Sequence, residues 1–212
     1  MTNLYMIRHG DYVSLTGEPF DGGLSPKGIQ QTTLLRDRLV RESLKADVLI
    51  ASTMPRAKHT AEILAPALQL TPQFDGDFEE WRNDDSSLTP EEFIRAWIEL
   101  PHEQLPFHRF TPATETWLEF KLRAVSALHR LLEEYRGKTI VLVCHGGIIE
   151  AAFMYFLETS GFGFPRAVVE ARHTAITHWE QGDYPGFPGV WVLRCFNDDR
   201  HLESLIHAPQ EA

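Results

Sequence analysis

Apolar residues along this chain fall into short unbroken runs and longer stretches with helical spacing, and the two kinds alternate. The first run, Leu4-Tyr5-Met6-Ile7 ending at Arg8, predicts a short buried strand. A stretch rich in Gly, Asp and Ser from Gly10 to Ser25 reads as a loop. Ser25-Pro26 then has the N-cap and first-turn proline of a helix, with apolar positions at Ile29, Leu34, Leu35 and Leu39. Val48 to Ala51 predicts a second strand, and Pro55 opens a helix through Ala61 and Ile63 to Leu68. Further on, a long helix is expected from about Thr114 to Tyr135, ended by Gly137. Thr139 to Cys144 is the most strongly apolar strand, and Gly146-Gly147 lead into an apolar helix through Phe156. Two more strands are expected around Ala175 to Trp179 and Val190 to Phe196.

Strands alternating with helices predict an α/β fold with crossover connections. The expected architecture is a three-layer α/β/α sandwich with a mostly parallel central sheet. The stretch from Asp75 to Pro112 breaks the pattern, carrying many carboxylates and few basic residues. Within it, Thr89-Pro90-Glu91-Glu92 has the spacing of a capping box. It reads as a partly helical insertion over the sheet, about residues 75–112. Its aromatic residues and the next one along (Trp81, Phe93, Trp97, Phe107, Phe110 and Trp117) are expected to pack it down. With no repeat, low-complexity tract or linker, residues 1–212 are expected to form a single domain.

Composition narrows the function. The chain has 212 residues, 43% hydrophobic and 24% charged, enough for a sizeable core. Its formal net charge of -10 argues against nucleic acid or an anionic membrane as partner. For an anionic substrate, positive potential would have to be concentrated in a few arginines and histidines. Cys144 and Cys195 are too few for a disulfide framework and lie in apolar runs. A cytoplasmic location is expected, with no signal peptide and no apolar run long enough to span a bilayer.

The chemistry sits where two strands end alike, in Arg8-His9-Gly10 and in Cys144-His145-Gly146-Gly147. Open α/β sheets place their sites beyond the carboxyl ends of strands. A glycine after each histidine permits close backbone approach, and a helix starting at Gly147 offers free N–H groups to an anion. An imidazole can attack phosphorus to form a phosphohistidine. Phosphoryl transfer then asks mainly for positioning and for positive charge around the equatorial oxygens. Arg8 and His145 can supply it. On its own, an Arg-His pair at a strand end is more often a surface cap. Arg56, in a helix first turn, opposes the macrodipole there, which favours a bound anion. Cys144 fails as a cysteine-phosphatase nucleophile, because Cys-x5-Arg would put the arginine where Glu150 stands. No metal framework of the HExxH or Cys-x2-Cys kind is present, and no P-loop.

Taken together, Arg8-His9-Gly10, Leu24-Ser25-Pro26-Lys27-Gly28 with Gln30, Ala51-Ser52-Thr53-Met54-Pro55-Arg56-Ala57 with Thr60-Ala61, and His145-Gly146-Gly147 resemble the histidine phosphatase superfamily, also called phosphoglycerate mutase-like. The likeness spans nearly the whole chain in order. It implies that His9 is the phosphorylated nucleophile, with Arg8, Arg56 and His145 forming the phosphate pocket beside Gly146, and no metal or other cofactor. It further implies a general acid in the segment Phe78-Glu79-Glu80, with Glu80 as the choice and Glu79 in reserve. Two departures stand out. Asp11-Tyr12 and Leu15 replace the family's usual Glu-Thr and following asparagine, with Ser14 or Thr16 as substitutes. His173 stands where the family usually has asparagine.

Phosphatase and mutase share the phosphohistidine half-reaction. A mutase must also hold a phosphorylated carboxylic acid, and the insertion offers only Arg82, Arg95 and Arg109 among many acids. The expected activity is therefore metal-independent hydrolysis of a small phosphomonoester. The alternatives are mutase-type transfer, action on phosphoproteins, or a non-catalytic phosphate-binding module. A homodimer is left open.

Overall fold

The computed structural model describes residues 1–14, 21–83, 87–158, 163–165 and 167–206. Strand β1 (Thr2–Arg8) is followed by a small hairpin, β2 (Tyr12–Ser14) and β3 (Asp21–Leu24), where the sequence suggested only a loop. Helix α1 (Pro26–Arg41), β4 (Val48–Ser52), α2 (Pro55–Leu68) and β5 (Gln73–Asp75) come next. The insertion contains α3 (Pro90–Glu99) and two single 3₁₀ turns, Gly76–Phe78 and Leu105–Phe107. The chain continues through α4 (Trp117–Glu134), β6 (Thr139–Cys144), α5 (Gly146–Phe156), β7 (Ile176–Tyr184), β8 (Phe187–Asp198) and the short α6 (Glu203–Ile206).

Six strands form one sheet in the order β5-β4-β6-β1-β7-β8, with β5, β4, β6 and β1 parallel and the β7–β8 hairpin antiparallel beside β1. Every residue of β4 is buried, and β6 is buried from Ile140 onward, as expected for parallel strands covered on both faces. Alternation assigns each side chain to a layer. Leu4, Met6, Val48, Ile50, Ile140, Leu142 and Cys144 pack with α4 and α5. Ile7, Leu49, Ala51, Val141 and Val143 pack with α1 and α2. This is the expected α/β/α sandwich. Strand β5 was not legible, being three residues at the sheet edge with Phe74 exposed.

The helix ends carry their sequence signals. Ser25 Oγ accepts from Gly28 N at the start of α1, and Thr89 and Thr116 each complete a capping box with Glu92 and Glu119. Tyr135 closes α4, and Gly137 turns the chain at φ +79°. The insertion's Trp81, Phe93, Trp97 and Phe110 form a cluster of mostly edge-on and tilted rings, which Trp81 joins to Trp117 of α4 and to Phe164. Phe107 instead faces solvent. Among the described residues no helix is long and apolar enough to cross a membrane.

Two glycines bring α1 against the end of β1. A Cβ on Gly28 would lie 1.8 Å from the Asp11 carbonyl oxygen, and one on Gly10 would lie 2.8 Å from the Gly28 oxygen. The loop after His9 thus rests directly on the first turn of α1, backbone to backbone. Gly28→Ala should destabilise the fold by about 1–3 kcal/mol through overpacking, against a helix-propensity gain of about 1 kcal/mol for Ala over Gly. A denaturant-midpoint measurement checks this, and an unchanged or raised midpoint would contradict the close approach.

Candidate active site

Three neighbouring strands, β4, β6 and β1, deliver their carboxyl ends to one place. Helices α1 and α2 cover one face of the sheet and α4 and α5 the other, so these ends open at a switch in crossover direction. His9 N donates to Cys144 O at 2.9 Å, joining the ends of β1 and β6. Strand alternation sends Arg8 to the α5 side, its guanidinium 4.0 Å from the Cβ position of Gly146. It sends His9 to the α2 side.

His9 is buried, with Nδ1 2.8 Å from Gly10 O and Nε2 3.0 Å from Arg56 Nε. A carbonyl oxygen only accepts and an arginine Nε only donates, so the proton belongs on Nδ1 and Nε2 presents its lone pair. Burial, then the Arg56 charge, holds this imidazole well below its ordinary pKa, with His173 and Arg8 adding to the effect. His9 is therefore a neutral ring with its basic nitrogen aimed at arginine.

Arg56 is the second residue of α2, and its Cζ lies 4.6 Å from the centre of the Tyr12 ring. Its charge at a helix start has a resident counter-ion. Asp21 Oδ2 accepts from Arg56 N at 3.0 Å and from Nη1 at 2.9 Å, capping α2 from a remote strand. The macrodipole conflict is thus answered by a carboxylate of β3 within the chain. Thr60 Oγ1 accepts from Gly10 N at 3.1 Å and donates to Arg56 O at 2.8 Å, tying loop to helix.

His145, fully buried, heads α5, and its ring lies 5.0 Å from that of His9. Its Nε2 is 2.8 Å from Ser52 Oγ at the end of β4, while Nδ1 is buried without a partner among the described residues. Burial, then His9, Arg56 and Arg8, pushes its pKa well down. Arg8 donates from Nη1 to Ala171 O at 2.5 Å, and its Nε too is buried without a partner among the described residues. Buried polar atoms normally find partners. Here orphaned nitrogens gather around one histidine, which suits an anion with several oxygens.

The two glutamates separate cleanly. Glu80 Oε2 accepts from Gly147 N at 3.1 Å and Oε1 from Trp81 N at 3.0 Å, placing this carboxylate at the start of α5. A Cβ on Gly147 would lie 2.2 Å from Glu80 Oε1, so glycine makes the room. Glu79 turns away, accepting from Thr53 Oγ1 and pairing with Arg82 Nε at 2.8 Å. One turn into α5, Glu150 is buried with Oε1 unpartnered among the described residues, its pKa pushed up to about 7 by burial and the Glu80 charge. Burial and Glu80 also raise the Cys144 thiol, leaving it a packed strand residue.

The structure brings the sequence-predicted Arg8, His9, Arg56, Glu80, His145 and Gly146 to one place, and adds Asp21, Ser52, Thr60 and Glu150, to which the sequence assigned no role in the site. Ser52 carried a signal, a polar residue closing an apolar strand. Asp21 carried none, since its partner is 35 residues away. Thr16 lies outside the described residues, as does the side chain of Ser14. Among the described residues no group of three or more His, Cys, Asp or Glu is arranged to hold a metal ion.

Comparisons with known proteins show the family. The family model for the histidine phosphatase superfamily (branch 1) matches residues 4–191. A protein of Schizosaccharomyces pombe named as a probable phosphatase is 26% identical over 217 residues, covering 95% of each chain. One of Salmonella paratyphi C named as a probable phosphoglycerate mutase is 26% identical over 215 residues, covering 96% of each. Among solved structures, Bacillus stearothermophilus YhfR superposes with a TM-score of 0.75 at 24% identity, over 96% of this chain and all of that one. The chain belongs to the histidine phosphatase superfamily, branch 1.

Proposed function

We propose that this enzyme hydrolyses small phosphomonoesters through a phosphohistidine on Nε2 of His9. The observation that carries this is the state of that ring: buried, neutral, with Nδ1–H fixed on Gly10 O and the Nε2 lone pair facing Arg56. In the first step the lone pair bonds to phosphorus as the ester P–O bond breaks, and the leaving oxygen takes a proton from Glu80. In the second, water attacks phosphorus, Glu80 takes a proton from that water, and the N–P bond breaks to release inorganic phosphate. Arg56 gives up its contact with Nε2 to bind phosphoryl oxygens. Arg8 Nε, Gly146 N at the start of α5 and His145 Nδ1–H, freed when Ser52 donates to Nε2, complete the pocket. Burial and the Glu80 charge push the Glu150 carboxyl up to about 7, so Glu150 can hold a proton near neutral pH.

Hydrolysis is favoured over mutase transfer by the insertion's arginines. Arg82 is paired with Glu79, and Arg109 with Glu119, so neither is free for a substrate carboxylate. The relative named as a phosphoglycerate mutase keeps the transfer reading testable. Added 3-phosphoglycerate should act as an inhibitor or poor substrate and yield no isomer. We place the activity in a single domain, without a metal, with no nucleic-acid or membrane partner.

His9→Ala should reduce hydrolysis of p-nitrophenyl phosphate to background, while the wild-type rate survives excess chelator. Retained activity in the variant would remove His9 as nucleophile. Glu80→Gln, whose amide oxygen can still accept from Gly147 N, should slow an alkyl phosphate by about 10²–10⁴-fold. It should slow p-nitrophenyl phosphate far less, because that phenolate leaves unaided. Equal loss on both esters would contradict the acid role.

A further inference from the structure

The structure brings together two positions where this chain departs from the pattern its motifs otherwise resemble, Asp11 and His173. His173 Nδ1 lies 3.8 Å from Asp11 Oδ1. The far nitrogen, Nε2, is buried with no hydrogen-bond partner among the described residues. The ring itself sits 5.3 Å from that of His9, centre to centre. A third imidazole therefore stands at the nucleophile, one nitrogen toward a carboxylate and the other unpartnered among the described residues.

Both neighbours are firmly held. Asp11 N donates to Gln31 Oε1 at 2.9 Å, and Asp11 Oδ2 accepts from Ser25 Oγ at 2.5 Å. On the other side, Thr174 N donates to Arg8 O at 2.9 Å, and Thr174 Oγ1 is 2.9 Å from His201 Nε2. Thr174 has φ +60°, a conformation that a β-branched residue adopts only where its surroundings enforce it. The chain thus bears a local cost to keep His173 beside His9.

We propose that His173 is a further phosphate-binding residue, donating from Nε2 to a phosphoryl oxygen while Asp11 holds the opposite side of the ring. This rests on His9 marking the phosphate position, and it gives the pocket a donor from the segment leading into β7. Without phosphate, burial and the charges of Arg8, Lys27 and Arg56 outweigh Asp11 and bring the His173 pKa down to about 4. A dianion set among those cations offsets them, so the ring gains affinity for a proton as phosphate binds. Asp11 then faces an imidazolium, and substrate binding is coupled to proton uptake.

Calorimetric titration with inorganic phosphate, in buffers of different ionisation enthalpy, tests this without requiring turnover. Its failure is therefore separable from failure of the hydrolytic reading, which wild-type turnover of p-nitrophenyl phosphate checks. His173→Ala should weaken phosphate binding about tenfold or more and reduce the proton uptake. The KM for p-nitrophenyl phosphate should rise in parallel, with kcat changing less. His173→Gln, whose amide can reach the Nε2 position, should recover most of the affinity but not the proton uptake. Unchanged phosphate affinity in His173→Ala would overturn the assignment. So would equal loss in the Ala and Gln variants with a lowered Tm, which would mark a packing role.

Discussion

The hydrogen bond from Arg56 Nε to His9 Nε2 decides what this pocket can do. It fixes the tautomer, because the proton must then sit on Nδ1, where Gly10 O receives it. It also sets the charge, because a buried ring beside a guanidinium resists a second proton. A neutral, oriented nitrogen is what attack on phosphorus needs. The same guanidinium can turn to the phosphoryl oxygens, so one contact serves as both guard and partner. Asp21 makes this workable by holding Arg56 at backbone and side chain together.

The fold supplies that contact through strand parity and order. Consecutive residues of a strand face opposite layers, so Arg8 and His9 leave β1 toward α5 and α2 respectively. Placing β6 between β1 and β4 puts His145 beside His9 and Ser52 within reach of His145. The positive charge is local, set in a chain whose formal net charge is -10. Long-range attraction does little for an anionic substrate here, and short contacts must do the binding.

The layered architecture was legible because its signals are local and periodic: apolar runs for β1, β4 and β6, and Ser25-Pro26 and the capping boxes for helix starts. Arg8, His9, His145 and Arg56 were legible because each sits at the end of such an element. The β2–β3 hairpin and β5 were not, since strands of three or four residues with exposed positions carry no period. Nor could Asp21 be seen, because its meaning lies in contacts to α2 across the fold. The choice between Glu79 and Glu80 needed geometry. Adjacent carboxylates look alike in sequence, whereas here one is tied to Arg82 and the other to Gly147.

In the proposed mechanism the lone pair of His9, not that of His145 or His173, receives the phosphoryl group. The most direct test is to quench the enzyme during turnover of a radiolabelled phosphomonoester and map the labelled peptide. The account predicts acid-labile, base-stable phosphate confined to the peptide that contains His9. Label on the peptide containing His145 or His173, or no phosphoenzyme at any quench time in an enzyme that turns over, would contradict it.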